Sequence, residues 1–66
     1  MQISLNGESK EVPEGCTAQQ LIELLGLVDR RLAMEVNREI LPRSRFEQHH
    51  LQPGDQVEIV HAIGGG

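Results

Sequence analysis

Sixty-six residues with a net charge of -4 make one domain, and a chain this short buries only about 60% of the surface it exposes when unfolded, too little to enclose a large catalytic cleft. One phenylalanine and no tryptophan or tyrosine leave no platform for stacking nucleic-acid bases, and the acidic balance argues against nucleic acid as the main partner. A single cysteine, Cys16, excludes an internal disulfide, and with no signal peptide and no apolar run of bilayer-spanning length the chain reads as soluble and cytoplasmic, without a membrane partner.

The chain opens with Met1-Gln2-Ile3-Ser4-Leu5-Asn6, whose alternation puts Met1, Ile3 and Leu5 on one face of a strand. Asn6-Gly7 is a strong two-residue hairpin signal, and a second strand runs to about Val12 before Pro13-Glu14-Gly15 closes it. Thr17 with Gln20 three residues on fits a capping box. Leu21, Ile22, Leu24 and Leu25 then recur at helical spacing until Gly26, which predicts a short helix over about residues 18–25. Its apolar stripe needs a surface to cover, and the inward face of the hairpin offers one.

Beyond a connection at Leu27 to Arg31, the residues Leu32, Met34 and Val36 alternate with Ala33 and Glu35, and Asn37-Arg38 turns the chain into Glu39-Ile40-Leu41-Pro42. These predict strands three and four. Ser44 and Glu47 fit a second capping box around Phe46, consistent with one helical turn ending near His49-His50, with Phe46 as a core plug. Gln52-Pro53-Gly54-Asp55 reads as a turn. Val57, Ile59, His61 and Ile63 then alternate with Glu58, Val60 and Ala62 in a last strand that runs into Gly64-Gly65-Gly66.

That ending gives the chain its clearest functional signal. Glycines lack a Cβ and stay conformationally free, so a terminal run of them should be thin and mobile, and the last five residues extended reach roughly 17 Å. Such a tail would pass a terminal carboxylate through a channel too narrow for side chains. Composition alone leaves two readings open, a working end and a frayed end without a role.

Charge is uneven along the chain. Lys10 stands against Glu8, Glu11, Glu14, Glu23 and Asp29; Arg30, Arg31, Arg38, Arg43 and Arg45 then face only Glu35 and Glu39; Glu47, Asp55 and Glu58 make the remainder acidic. The arginines read as a solvated face, with pairing to acidic partner surfaces as the weaker use of Arg43. Val60 shares a strand face with Glu58 and Ala62, where the choice lies between docking and ordinary sheet packing. Cys16 has no neighbouring base in sequence and reads as a small half-buried residue at a loop-to-helix junction, not a nucleophile. His49, His50 and His61 show no recurring ligand spacing with Cys16, so no metal site is assigned.

Hairpin, helix, two strands, short helix and strand make an α+β order with one helix across a small mixed sheet of four to five strands. The Asn-Gly hairpin, the Thr-capped Leu-rich helix, Val36-Asn37-Arg38-Glu39-Ile40-Leu41-Pro42-Arg43, and Pro53-Gly54-Asp55-Gln56-Val57-Glu58-Ile59 before a terminal Gly-Gly occur together. In this combination the whole chain resembles the ThiS family of ubiquitin-like sulfur carriers of thiamine thiazole synthesis, and secondly the small subunit of molybdopterin synthase.

The resemblance implies a β-grasp fold over residues 1–63 and a flexible glycine tail, 64–66, carrying the reactive end with no processing step needed to expose it. It implies that the Gly66 carboxylate is adenylated by an E1-like adenylyltransferase using ATP and magnesium, then converted by a persulfide sulfur donor to a thiocarboxylate that supplies thiazole synthase. Gly64 and Gly65 would thread the partner's channel, and Val60, Ala62, Ile63 and Arg43 would form the docking surface. No cofactor would be bound by the chain itself. It would be a protein cosubstrate and not an enzyme, since no acid, base and nucleophile converge in it. Two readings compete: a modifier joined to lysines through the same tail, and an RNA-binding β-grasp module that needs no tail.

Overall fold

The computed structural model describes residues 1–61; the readings that fall on Ala62 to Gly66 lie outside them. Strands β1 (Gln2–Leu5) and β2 (Glu8–Glu11) form an antiparallel hairpin. Helix α1 (Ala18–Leu24) follows, then the hairpin β3 (Leu32–Val36) and β4 (Glu39–Leu41), a 3₁₀ turn at Arg43–Arg45, and β5 (Gln56–His61). The five-stranded sheet has the order β2-β1-β5-β3-β4. The last strand is thus its centre, parallel to β1 and antiparallel to β3.

Local chemistry sets the ends of α1. Thr17 Oγ1 accepts from the Gln20 N–H at 3.1 Å while Gln20 Oε1 accepts from the Thr17 N–H at 2.9 Å, so the expected capping box is present. At the other end Gly26, at φ 71, lets its own N–H reach the Glu23 carbonyl and that of Leu27 reach the Ile22 carbonyl. This is a Schellman closure, in which a side chain at the left-handed position would be strained. The helix buries Ala18, Leu21 and Ile22. Leu24, expected on the same stripe, is 58% exposed; at about 100° per residue it falls well away from the face that those three define.

That face lies on Ile3, Met34, Val36, Val57 and Ile59 of the sheet, with Phe46 and Leu51 closing the core from the connection between β4 and β5. Phe46 is 1% exposed, as its role as a core plug requires. The connection also covers the start of the helix: the Ala18 N–H donates to the His49 carbonyl at 2.9 Å, and the Gln19 N–H to the Phe46 carbonyl at 3.1 Å. Amides with no partner inside the helix are thereby satisfied by the segment lying over them.

Two local expectations are corrected. The second capping box does not form, because the 3₁₀ turn begins at Arg43 behind Pro42 with no side-chain cap, which places Ser44 inside the turn instead of at its edge. Cys16 is not half-buried but 2% exposed. The Leu51 N–H donates to the Cys16 carbonyl at 2.8 Å, so the chain after His50 lies across the loop that carries it.

Candidate functional site

A strand that delivers a tail to another protein has to be fixed in the sheet and open near its exit. β5 meets both conditions. Its inner face buries Val57 and Ile59, while Glu58, Val60 and His61 are exposed. His61 has the parity of Val57 and Ile59, yet the core side of β5 stops at Ile59. Beside the exit lies a shallow groove of about 280 Å³ lined by Arg31, Leu32, Ala33, Arg43, Val60 and His61.

The groove brings Val60 and Arg43 together across 17 positions of sequence. Val60, 61% exposed, sits opposite Ala33 in the β3–β5 register, so a small residue leaves its side chain uncovered. Arg43 is held differently from the free cation that the charge pattern suggested. Its Nη2 donates to the Val28 carbonyl at 3.0 Å and its Nη1 to the Arg30 carbonyl at 3.2 Å. The guanidinium carbon also lies 5.9 Å from the centre of the Phe46 ring. Arg43 therefore ties the loop after α1 to the 3₁₀ turn and forms one wall of the groove, an arrangement to which the planar five-donor guanidinium is suited. Ala62, Ile63, Gly64, Gly65 and Gly66 lie outside the described residues.

Two asparagines also act on β5, beyond the turns that their positions in the sequence predict. Asn6 Oδ1 accepts from the Ile59 N–H at 2.8 Å and its Nδ2 donates to the Ile59 carbonyl at 3.4 Å. Asn37 Oδ1 accepts from the Gln56 N–H at 2.9 Å, and its Nδ2 donates to Asp55 Oδ1 at 3.0 Å. The available signal was asparagine itself: among turn formers, only its carboxamide donates and accepts like a peptide unit.

Of the remaining candidates, Cys16 is buried in the core. Burial pushes the Cys16 thiol above its ordinary value of 9.0, which keeps it protonated and a poor nucleophile at neutral pH. His50 Nδ1 lies 3.0 Å from the Gly15 carbonyl. Among the described residues no three His, Cys, Asp or Glu side chains are grouped to hold a metal ion, and no helix is long and apolar enough to cross a membrane.

The family model of the ThiS family matches residues 3–66. The chain belongs to the ThiS family. It is 35% identical over 66 residues to the sulfur carrier protein ThiS of Escherichia coli, with both chains covered in full. A crystal structure of the thiamine biosynthesis protein ThiS from Geobacter metallireducens superposes with a TM-score of 0.86 at 29% identity, again over all of both chains, so the fold is the β-grasp. The chain is also 39% identical over 66 residues to a thiazole synthase of Paramagnetospirillum magneticum, of whose length it spans 20%.

Proposed function

We propose that this chain is a sulfur carrier of thiamine biosynthesis, a protein cosubstrate whose reacting group is the Gly66 carboxylate. The observation that carries the reading is the placement of β5. The strand that leads toward the glycines is the central strand of the sheet, gripped on both sides, and it ends beside an open groove.

A carboxylate is a poor acyl electrophile, so an E1-like adenylyltransferase joins it to AMP, using ATP with magnesium and releasing pyrophosphate. A persulfide then attacks the acyl carbon and AMP leaves. The acyl disulfide so formed keeps the persulfide's own S–S bond. A thiol cleaves that bond, forms a disulfide with the persulfide's carrier and frees Gly66 as a thiocarboxylate, which donates its sulfur to thiazole synthase. Catalytic groups and metal belong to the partners, and the chain binds no cofactor of its own. The similarity of a thiazole synthase segment to this chain over its full length supports that enzyme as a partner. Gly64 and Gly65 thread the partner's channel, and Val60, Ala62 and Ile63 dock beside Arg43. A need for ATP supports a cytoplasmic setting for the reaction.

The test is an intact mass of the chain after incubation with ATP, a thiamine-pathway activating enzyme and a persulfide source, beside a chain lacking Gly66. A gain equal to one oxygen replaced by sulfur, absent from the shortened chain, is expected. Success only with the molybdopterin-pathway activating enzyme would move the protein to that branch, and no gain with either would sink the carrier reading. Val60→Glu is expected to keep the fold and weaken the complex with the activating enzyme; unchanged affinity would remove Val60 from the docking surface.

A further inference from the structure

Support for β5 is lopsided toward its exit. β3 keeps register with it as far as Leu32 opposite His61. β1 pairs with it only at Ser4–Gln56 and Leu5–Val57, because the chain turns away at Asn6-Gly7. The next backbone groups of β5 that face the β1 side belong to Ile59, and the Asn6 carboxamide meets both of them, accepting from the N–H at 2.8 Å and donating to the carbonyl at 3.4 Å. One side chain stands where the next residue of β1 would have paired.

We propose that Asn6 is a positioning residue for the terminal glycines: its amide holds β5 in the sheet at Ile59, so that Val60 and His61 are already ordered when a partner takes the tail. The inference rests on the carrier reading above. Ile59 lies seven residues before Gly66, a span of roughly 23 Å when extended. Without the amide, β5 beyond Val57 is bonded along one edge only, and strand ends supported in that way open readily. Every residue that leaves the sheet must be ordered again on docking, against its conformational entropy. Ordering of the glycines is common to all variants and cancels. The added cost is equal in the bound ground state and in the transition state, so it raises KM and leaves kcat in place.

A turn-only role for Asn6 predicts otherwise. Its φ of 50 is a conformation that glycine adopts freely and aspartate tolerates. Asn6→Gly therefore keeps the turn and deletes the amide, while Asn6→Asp keeps the turn and an acceptor for the Ile59 N–H but loses the donor.

The experiment follows pyrophosphate release by the thiamine-pathway activating enzyme against carrier concentration, together with hydrogen exchange of the Ile59 amide. For Asn6→Gly, exchange at Ile59 is expected to quicken about tenfold or more and KM to rise roughly five- to tenfold, with kcat within about twofold of the wild-type value. Asn6→Asp should fall between the two. A KM unchanged in Asn6→Gly, or a loss confined to kcat, overturns the positioning role while the wild-type chain still reacts. Absence of pyrophosphate release from the wild-type chain overturns the reading as a carrier of thiamine biosynthesis, and the inference with it.

Discussion

The two hairpins that flank β5 are built on similar turns and grip it in different ways. Asn6-Gly7 joins β1 to β2 and Asn37-Arg38 joins β3 to β4, with the asparagines at φ 50 and 53 and their followers at φ 84 and 69. Both asparagine carboxamides bond to β5, Asn37 at its start on Gln56 and Asn6 near its exit on Ile59. Behind Asn37 lie five register pairs between β3 and β5. Behind Asn6 there are two between β1 and β5. The side chain therefore adds to a continuous ladder in one hairpin and replaces missing rungs in the other. A turn residue here is better understood by what it does to the neighbouring strand than by the turn alone.

The comparison is broken most severely by attacking the stronger side. Met34, fully buried on β3, faces Ile59 across the register. Met34→Ala is expected to lower stability by about 2–5 kcal/mol in urea unfolding, from lost burial and the cavity left behind. On the weaker side β2 carries only Glu8, Ser9, Lys10 and Glu11, so Lys10→Ala should stay within about 0.5 kcal/mol. A Met34→Ala loss no larger than that of Lys10→Ala would show that the β3 side does not anchor the sheet.

Next in size is the grip at the start of β5. Asn37→Gly keeps the positive φ and removes the acceptor for the Gln56 N–H and the donor to Asp55, both at exposed positions. The expected loss is about 1–2 kcal/mol, because partly solvated bonds exchange with water. Stability equal to wild type would mean that the ladder behind Asn37 already suffices.

The contrast also separates what sequence made legible from what it hid. Alternation at Ile3, Met34, Val36, Val57 and Ile59, the Thr17–Gln20 box and the stop at Gly26 gave the elements and their order, because those signals are local and each has a backbone reason. Leu24 misled because, in a helix that starts where expected, it points well away from the face set by Ala18, Leu21 and Ile22. Ser44 misled because the 3₁₀ turn starts two residues earlier than a cap at Ser44 requires. At the candidate site, Val60 was visible as an apolar residue on the polar side of a strand. Arg43 on the Val28 and Arg30 carbonyls, and Asn6 on Ile59, were not visible, since both are bonds from a side chain to distant backbone. No spacing encodes a contact across 53 positions.

The smallest effects belong to the second residue of each turn and sharpen the comparison by isolating backbone strain. A Cβ built on Gly7 meets nothing within 4 Å, so Gly7→Ala tests conformation without a steric clash. At φ 84 it should lose about 1 kcal/mol in urea unfolding. Arg38 already occupies that kind of position at φ 69, and Arg38→Gly releases about 1 kcal/mol of strain while adding roughly 0.4–1 kcal/mol of unfolded-state freedom. The two nearly offset, and the net gain should be no more than about 0.5 kcal/mol. A gain well above 1 kcal/mol would mean that the turn stores strain beyond its φ, whereas a clear loss would show that the Arg38 side chain contributes a stabilising contact of its own.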